Sequence, residues 1–247
     1  MRIHSFLAGI FASQVLAYPS DMERTDSLEW TDLTAAIGEV IKLVPVNILT
    51  DDFCHSLTIV EKSLVALFGI QDTEKDGQYG DVTVLFARAT CESGNVGVLV
   101  GPFLKKELQK RLGNKTVALQ GAKYPGIIED YYSPNPENGK PMADMIKSTI
   151  ANCPNTKIVV GGFSQGCMVA HDAMDFLDAD SASKVKAFVT FGDPYSQKAV
   201  AQIDQSKVKI YCHVGDNICV HGPLVLPQHV TYGLDVADAA SFIISQL

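Results

Sequence analysis

The sequence predicts an α/β fold, a three-layer α/β/α sandwich built on a five-stranded parallel sheet. Three observations predict it. From residue 81 onward, brief β-branched or aromatic runs alternate with longer amphipathic stretches, the pattern of strands linked by crossover helices. The runs are almost wholly apolar, as strands covered on both faces must be. One of them leads through Gly162-Phe163-Ser164-Gln165-Gly166 into an amphipathic stretch, a strand, sharp turn and helix in succession.

The chain has 247 residues, 47% of them hydrophobic and 19% charged, enough for one domain with a sizeable core and short for two. Disorder and fibre are excluded. With 20 Lys plus Arg against 28 Asp plus Glu and a net charge of −8, the chain repels phosphate backbones, so no nucleic-acid partner is expected.

Taken in order, Met1-Arg2-Ile3-His4 is a short basic start, and Phe6 to Leu16 is apolar but too short to span a bilayer. Val15-Leu16-Ala17 places small residues at cleavage positions, so residues 1 to 17 read as a secretory signal peptide cut after Ala17. A secreted, extracellular protein with disulfides is expected, and no other segment approaches the ~20 apolar residues of a transmembrane span. Residues 18 to 80 carry little chemistry. Leu33, Ile37 and Ile41 recur at helical spacing, and Leu57 to Phe68 forms a second periodic stretch. Two short helices separated near Pro45 are expected there, a helical extension that packs on the domain or covers its active site.

Within residues 81 to 247 the expected strands are Val82 to Ala87, Thr116 to Leu119, Lys157 to Val160, Val185 to Phe191 and Val208 to Cys212. Helices are expected over Phe103 to Leu112, over Met142 to Ile150, along the stripe Cys167, Ala170, Met174 and Leu177, and from Val236 onward.

The Gly-x-Ser-x-Gly turn puts Ser164 in a strained position above the sheet edge, with Gly162 and Gly166 giving strand and helix room to pass. It also sets Ser164 at a helix N-terminus, where the Gln165 N–H can stabilise an oxyanion. A serine nucleophile needs a base and an acid, which follow in chain order in elbow folds. That order leaves Asp216, just past a strand, as the acid, with Asp193 of Phe191-Gly192-Asp193-Pro194 as its rival. An aspartate before proline more often forms a turn with its own backbone. His229, 13 residues beyond Asp216, is the favoured base; His221 sits only two residues past Cys219 and is the alternative.

Residues 82 to 247 resemble the fungal cutinases. The resemblance rests on Phe86-Ala87-Arg88-Ala89-Thr90-Cys91-Glu92-Ser93-Gly94-Asn95, on Gly161 to Gly166, and on Cys212-x3-Asp216-x2-Cys219 with His229-x2-Tyr232-Gly233. It implies Ser164, Asp216 and His229 as a catalytic triad, Thr90 as an oxyanion-hole hydroxyl beside the Gln165 N–H, and a flavodoxin-like sheet. Three features depart from the family: Ala89 stands where glycine is usual, Tyr79 stands where a half-cystine usually precedes the first strand, and residues 18 to 80 are longer than the family needs.

Cys212 and Cys219 flank Asp216, and a bridge between them is expected. Cys153 and Cys91 fall at opposite sheet edges, about five residues at ~3.3 Å each apart, so Cys54 is the expected partner of Cys153. Cys91 and Cys167 share the active edge, either as a bridge or as two buried thiols. Asn114-Lys115-Thr116 is a glycosylation sequon. Leu224, Val225 and Leu226 are apolar in a loop and suit an acyl-chain groove.

The expected activity is that of a monomeric serine esterase, needing no metal or organic cofactor and acting on hydrophobic aliphatic esters in a polymer or lipid-like substrate. Acetylxylan esterase or short-chain lipase-like activity is the alternative, and a non-catalytic interaction protein on the same scaffold is the remote one.

Overall fold

The computed structural model describes residues 50–247. The leader and the first of the two expected N-terminal helices lie outside the described residues. The second is α1, Asp51–Phe68, capped by the Thr50 hydroxyl accepting from Phe53 N and ended by the left-handed Gly69. The remaining elements are β1 (Val82–Ala87), α2 (Gly101–Leu112), β2 (Val117–Gly121), α3 (Ile128–Tyr132), α4 (Lys140–Asn152), β3 (Lys157–Phe163), α5 (Gln165–Asp175), α6 (Ala179–Ser183), β4 (Val185–Phe191), β5 (Val208–Tyr211) and α7 (Val236–Ser245).

The five strands form one sheet of order β2-β1-β3-β4-β5, with every neighbouring pair parallel. This is the expected flavodoxin-like order, with the switch in direction falling at β1 and β3, where such sheets place their sites. The expected strands are all present. β2 starts one residue later and β3 runs three residues further than the β-branched run suggested, because Gly161, Gly162 and Phe163 continue the ladder beside Val189, Thr190 and Phe191.

Alternation along the strands divides the core in two. Val82, Val84 and Phe86 of β1 face one layer with Phe103, Leu104 and Leu108 of α2 and Val236, Ala239, Ala240 and Ile243 of α7. Leu85 and Ala87 face the other, with Met142, Ala143 and Ile146 of α4 and Val169, Ala170, Ala173 and Met174 of α5. Truncating one of these large side chains to alanine costs about 2 to 5 kcal/mol, so the sheet is a stiff base for the loops at its carboxyl edge. Helix α1 joins the first layer through Phe53 and Leu57.

Two cystine expectations are corrected. Cys54 pairs with Cys91, with Cα atoms 5.4 Å apart, and Cys153 and Cys167 are free thiols. Cys91 and Cys153 are indeed unbridged. Helix α1 lies over the loop that follows β1, which brings Cys54 to Cys91 and away from Cys153. Next to Cys153 in sequence, Asn152 Nδ2 donates to the Tyr79 hydroxyl at 3.3 Å. Cys167 is buried in α5 and its thiol donates to the Phe191 carbonyl at 3.2 Å. The Cys212–Cys219 bridge is present as expected, with Cα atoms 6.1 Å apart.

Candidate active site

Ser164 sits between β3 and α5 at φ 55°, ψ −125°, a backbone region disfavoured for any residue with a Cβ. Close packing holds it there. A Cβ on Gly162 would lie 2.5 Å from the Gly166 carbonyl oxygen, and one on Gly166 would lie 2.0 Å from that of Ala87. Both elbow glycines are therefore steric necessities. The Ser164 N–H donates to the Phe191 carbonyl at 2.9 Å, which ties the turn to the end of β4.

The expected base and acid meet. His229 Nδ1 lies 2.9 Å from Asp216 Oδ2, and the two residues are 3% and 5% exposed. An ionised carboxylate can only accept, so the imidazole proton sits on Nδ1 and leaves Nε2 as the basic nitrogen. The His229 ring stacks on Phe163, one residue before Ser164, with centroids 5.0 Å apart. Gly192 leaves room for it: a Cβ there would approach His229 Cε1 to 2.6 Å.

Asp216 is held by more than histidine. Its Oδ2 accepts from the Tyr232 hydroxyl at 2.7 Å and its Oδ1 from Ile218 N at 3.0 Å. Burial works to raise the carboxyl's pKa, but the bond to His229, the charge of that ring, and the donors Tyr232 and Ile218 outweigh it and hold Asp216 below the usual carboxylate range. Tyr232 in turn accepts from His213 N at 2.8 Å and stacks on the His213 ring, with centroids 4.1 Å apart. Sequence reasoning assigned Tyr232 no role. The spacing of its motif marked it, but nothing local shows that a phenol 16 residues away reaches the acid.

The rival residues are otherwise engaged. Asp193 is fully buried, accepting from Thr190 Oγ1 at 2.7 Å and Tyr195 N at 2.8 Å, with His171 Nε2 3.0 Å away. The Tyr195 bond is the turn expected of an aspartate before proline. His221 Nε2 lies 3.0 Å from the Tyr131 carbonyl, a tie between the 218–221 turn and α3.

On the oxyanion side, Thr90 Oγ1 donates to Gln165 Oε1 at 2.9 Å, while Gln165 Nε2 donates to the Ile127 carbonyl at 2.9 Å. The second bond fixes which end of the amide faces Thr90. The loop from Ala89 to Leu99 winds around the buried carboxylate of Glu92, which accepts from Ala89 N at 2.7 Å and from Val98 and Leu99 N at 3.0 Å each. Ala89 keeps a negative φ and its methyl joins the core, so the position has no need of glycine. Of the three expected groove residues, Leu224 is exposed, Leu226 is half-buried and Val225 is buried in the core. Ile127, whose carbonyl meets Gln165, is 44% exposed. Among the described residues there is no cluster of His, Cys, Asp or Glu able to hold a metal ion, and no helix is long and apolar enough to cross a membrane.

The bridge between Cys212 and Cys219 closes a loop across a separation of seven residues with Asp216 inside it. Replacing both cysteines by serine is expected to cost about 2 to 3 kcal/mol by chain entropy, seen as a fall in melting temperature. Turnover is expected to fall more steeply than that stability loss explains, because a shift of about 1 Å in the acid costs on the order of a hundredfold in rate. Unchanged turnover alongside lowered melting would reduce the bridge to a stability element.

Comparison with known proteins agrees with this architecture. The Cutinase family model matches residues 79–247. The cutinase of Hypocrea jecorina is 43% identical over 245 residues, covering 99% of this chain and 98% of that one. A structure titled as a Trichoderma reesei cutinase in complex with a phosphonate inhibitor superposes with a TM-score of 0.76 at 45% identity, covering 88% of this chain and 99% of that one. The catalytic core of an acetyl xylan esterase from Trichoderma reesei shares the fold, with a TM-score of 0.53 at 21% identity, over 69% of this chain and all of that one.

Proposed function

The chain belongs to the cutinase family and is a carboxylic ester hydrolase; from that premise we propose that it is a secreted serine esterase using Ser164, His229 and Asp216 on hydrophobic aliphatic esters such as cutin. The observation that carries this reading is the strained Ser164 elbow, whose neighbour Phe163 stacks on a buried His229 with its Nδ1 committed to Asp216. His229 Nε2 takes the Ser164 proton as Oγ attacks the ester carbonyl. The oxyanion forms against the Gln165 N–H and the Thr90 hydroxyl, whose proton turns from Gln165 Oε1 toward the new charge. His229 then protonates the leaving alcohol, and water activated by the same imidazole releases the acid from the acyl-enzyme.

The apolar exposed side chains Leu224 and Ile127 support an acyl chain over an acetylated sugar as the bound group. On this reading residues 18 to 80 remain part of the secreted protein after the leader is removed at Ala17. The test is the chain-length profile of the purified mature protein. Butyryl and longer p-nitrophenyl esters, and cutin itself, are expected to be turned over at least tenfold faster than acetylxylan. Preference for acetylxylan would move the protein to the acetylxylan esterases, and failure of an organophosphonate to label Ser164 would remove serine catalysis altogether.

A further inference from the structure

Helix α1 touches the Thr90 turn at three successive points along one face. Cys54 is bonded to Cys91. One turn on, the Thr58 hydroxyl lies 2.9 Å from the Cys54 carbonyl and 3.3 Å from the Cys91 carbonyl. One turn further, Glu61 Oε2 accepts from Ser93 N at 2.9 Å. Glu61 has no exposed surface, and it stands on the same side of the helix as Phe53 and Leu57, which are core residues. A carboxyl in an apolar face is expensive unless it does something there. Between Cys91 and Ser93 the backbone is already under strain, since Cys91 sits at φ 65°.

We infer that Glu61 is a positioning residue for the oxyanion loop: by holding Ser93 N it fixes the 90–93 turn, and with it the Thr90 hydroxyl against Gln165. The inference rests on the proposed serine mechanism, in which Thr90 faces the oxyanion. The near side of the turn is held by the disulfide, by Cys91 N donating to the Gly126 carbonyl at 2.9 Å and by Ala89 N donating to Glu92. The Ser93 bond is the tie that α1 makes to its far end.

The groups facing Glu61 decide its charge. Glu92 and Arg88 of the loop and Asp72 of the segment after α1 are the charged neighbours. Burial pushes the Glu61 carboxyl well above the usual range, and the negative Glu92 pushes it further; the Ser93 N–H and Arg88 oppose this without cancelling it. Glu92 is also raised by burial, but it accepts three backbone N–H groups against one for Glu61. Glu61 therefore has the weaker hydrogen-bond support for a negative charge. Glu61 Oε1 and the Ser93 hydroxyl oxygen are both buried without a hydrogen-bond partner. Ionising Glu61 places a negative charge near that of Glu92 and works against the seating of the loop.

The sign follows. A carboxyl whose folded pKa is raised stabilises fully at pH below its unfolded value, and that contribution is lost as pH rises through the folded value. Activity that depends on the seated loop is weakened over the same interval. The wild type should therefore show kcat for p-nitrophenyl butyrate declining as pH rises through the interval in which Glu61 ionises. In Glu61→Gln the amide oxygen still accepts from Ser93 N and nothing ionises, so kcat at neutral pH is expected within about twofold of wild type and any such decline is expected to vanish. In Glu61→Leu, kcat is expected to fall about tenfold with KM changed less than about twofold, because Thr90 acts on the transition state. A Glu61→Leu variant that folds and keeps wild-type kcat, or a decline with pH that persists unchanged in Glu61→Gln, overturns the inference. Organophosphonate labelling of wild-type Ser164 keeps the two readings separate: no label sinks the serine mechanism, whereas full labelling with an unaltered pH profile in Glu61→Gln sinks only the role of Glu61.

Discussion

Replacing Ser164 by alanine is expected to lower ester hydrolysis by at least about 10⁴-fold while leaving the melting temperature within a few degrees of the parent. Alanine fits the site, since the position already carries a Cβ at φ 55°. The elbow is held by Gly162, Gly166 and the Ser164 N–H bond to Phe191, none of which uses the hydroxyl. What disappears is the oxygen that must join the acyl carbon. Hydrolysis of p-nitrophenyl butyrate by the variant, set against a buffer blank, measures the loss; residual turnover above a few per cent would reassign the nucleophile.

Replacing His229 by glutamine should be nearly as severe, about 10³- to 10⁴-fold in kcat, because glutamine keeps a polar contact to Asp216 but takes up no proton. His221→Gln is expected to change kcat by less than fivefold, as His221 bonds the Tyr131 carbonyl rather than Asp216. The reverse ranking would transfer the base to His221. In the wild type, activity should rise with pH, because only a neutral imidazole can accept the serine proton. Asp216 is held below the usual carboxylate range, so as pH falls it stays anionic after ordinary carboxylates have protonated. The stability it contributes is present above the unfolded carboxylate range and is lost only as pH falls through the depressed folded value. The acid limb of activity therefore reports the histidine and not the aspartate, and a rate that is flat from pH 5 to pH 9 contradicts a histidine base.

The residues legible in the sequence are those whose signal is local or ordinal. Strand runs such as Val185 to Phe191 are apolar on both faces, the Ser164 elbow is written in five consecutive residues, and Asp216 and His229 were selected by chain order. Residues whose role depends on long-range placement were not legible. Cys54 was matched to Cys153 because periodicity shows that α1 is a helix but not which edge of the sheet it lies against. Glu61 lies within a stretch read only as periodic and apolar, and its partner Ser93 is 32 residues away. Nothing local in the sequence shows that the N–H groups of Ala89, Val98 and Leu99 converge on Glu92.

The order of the strands has a consequence for biosynthesis. β1 lies between β2 and β3, so a growing chain that has made β1 and β2 still lacks the neighbour that seats the other edge of β1. The strain at Ser164 is sustained by the Phe191 carbonyl and by the packing of Gly166 on Ala87, so the elbow cannot take its final shape until β4 has been synthesised. The acid and base come later still, at 216 and 229. On the proposed mechanism, a nascent or truncated chain ending before residue 229 carries the serine without the groups that make it reactive, and hydrolytic capacity arises only near the end of synthesis.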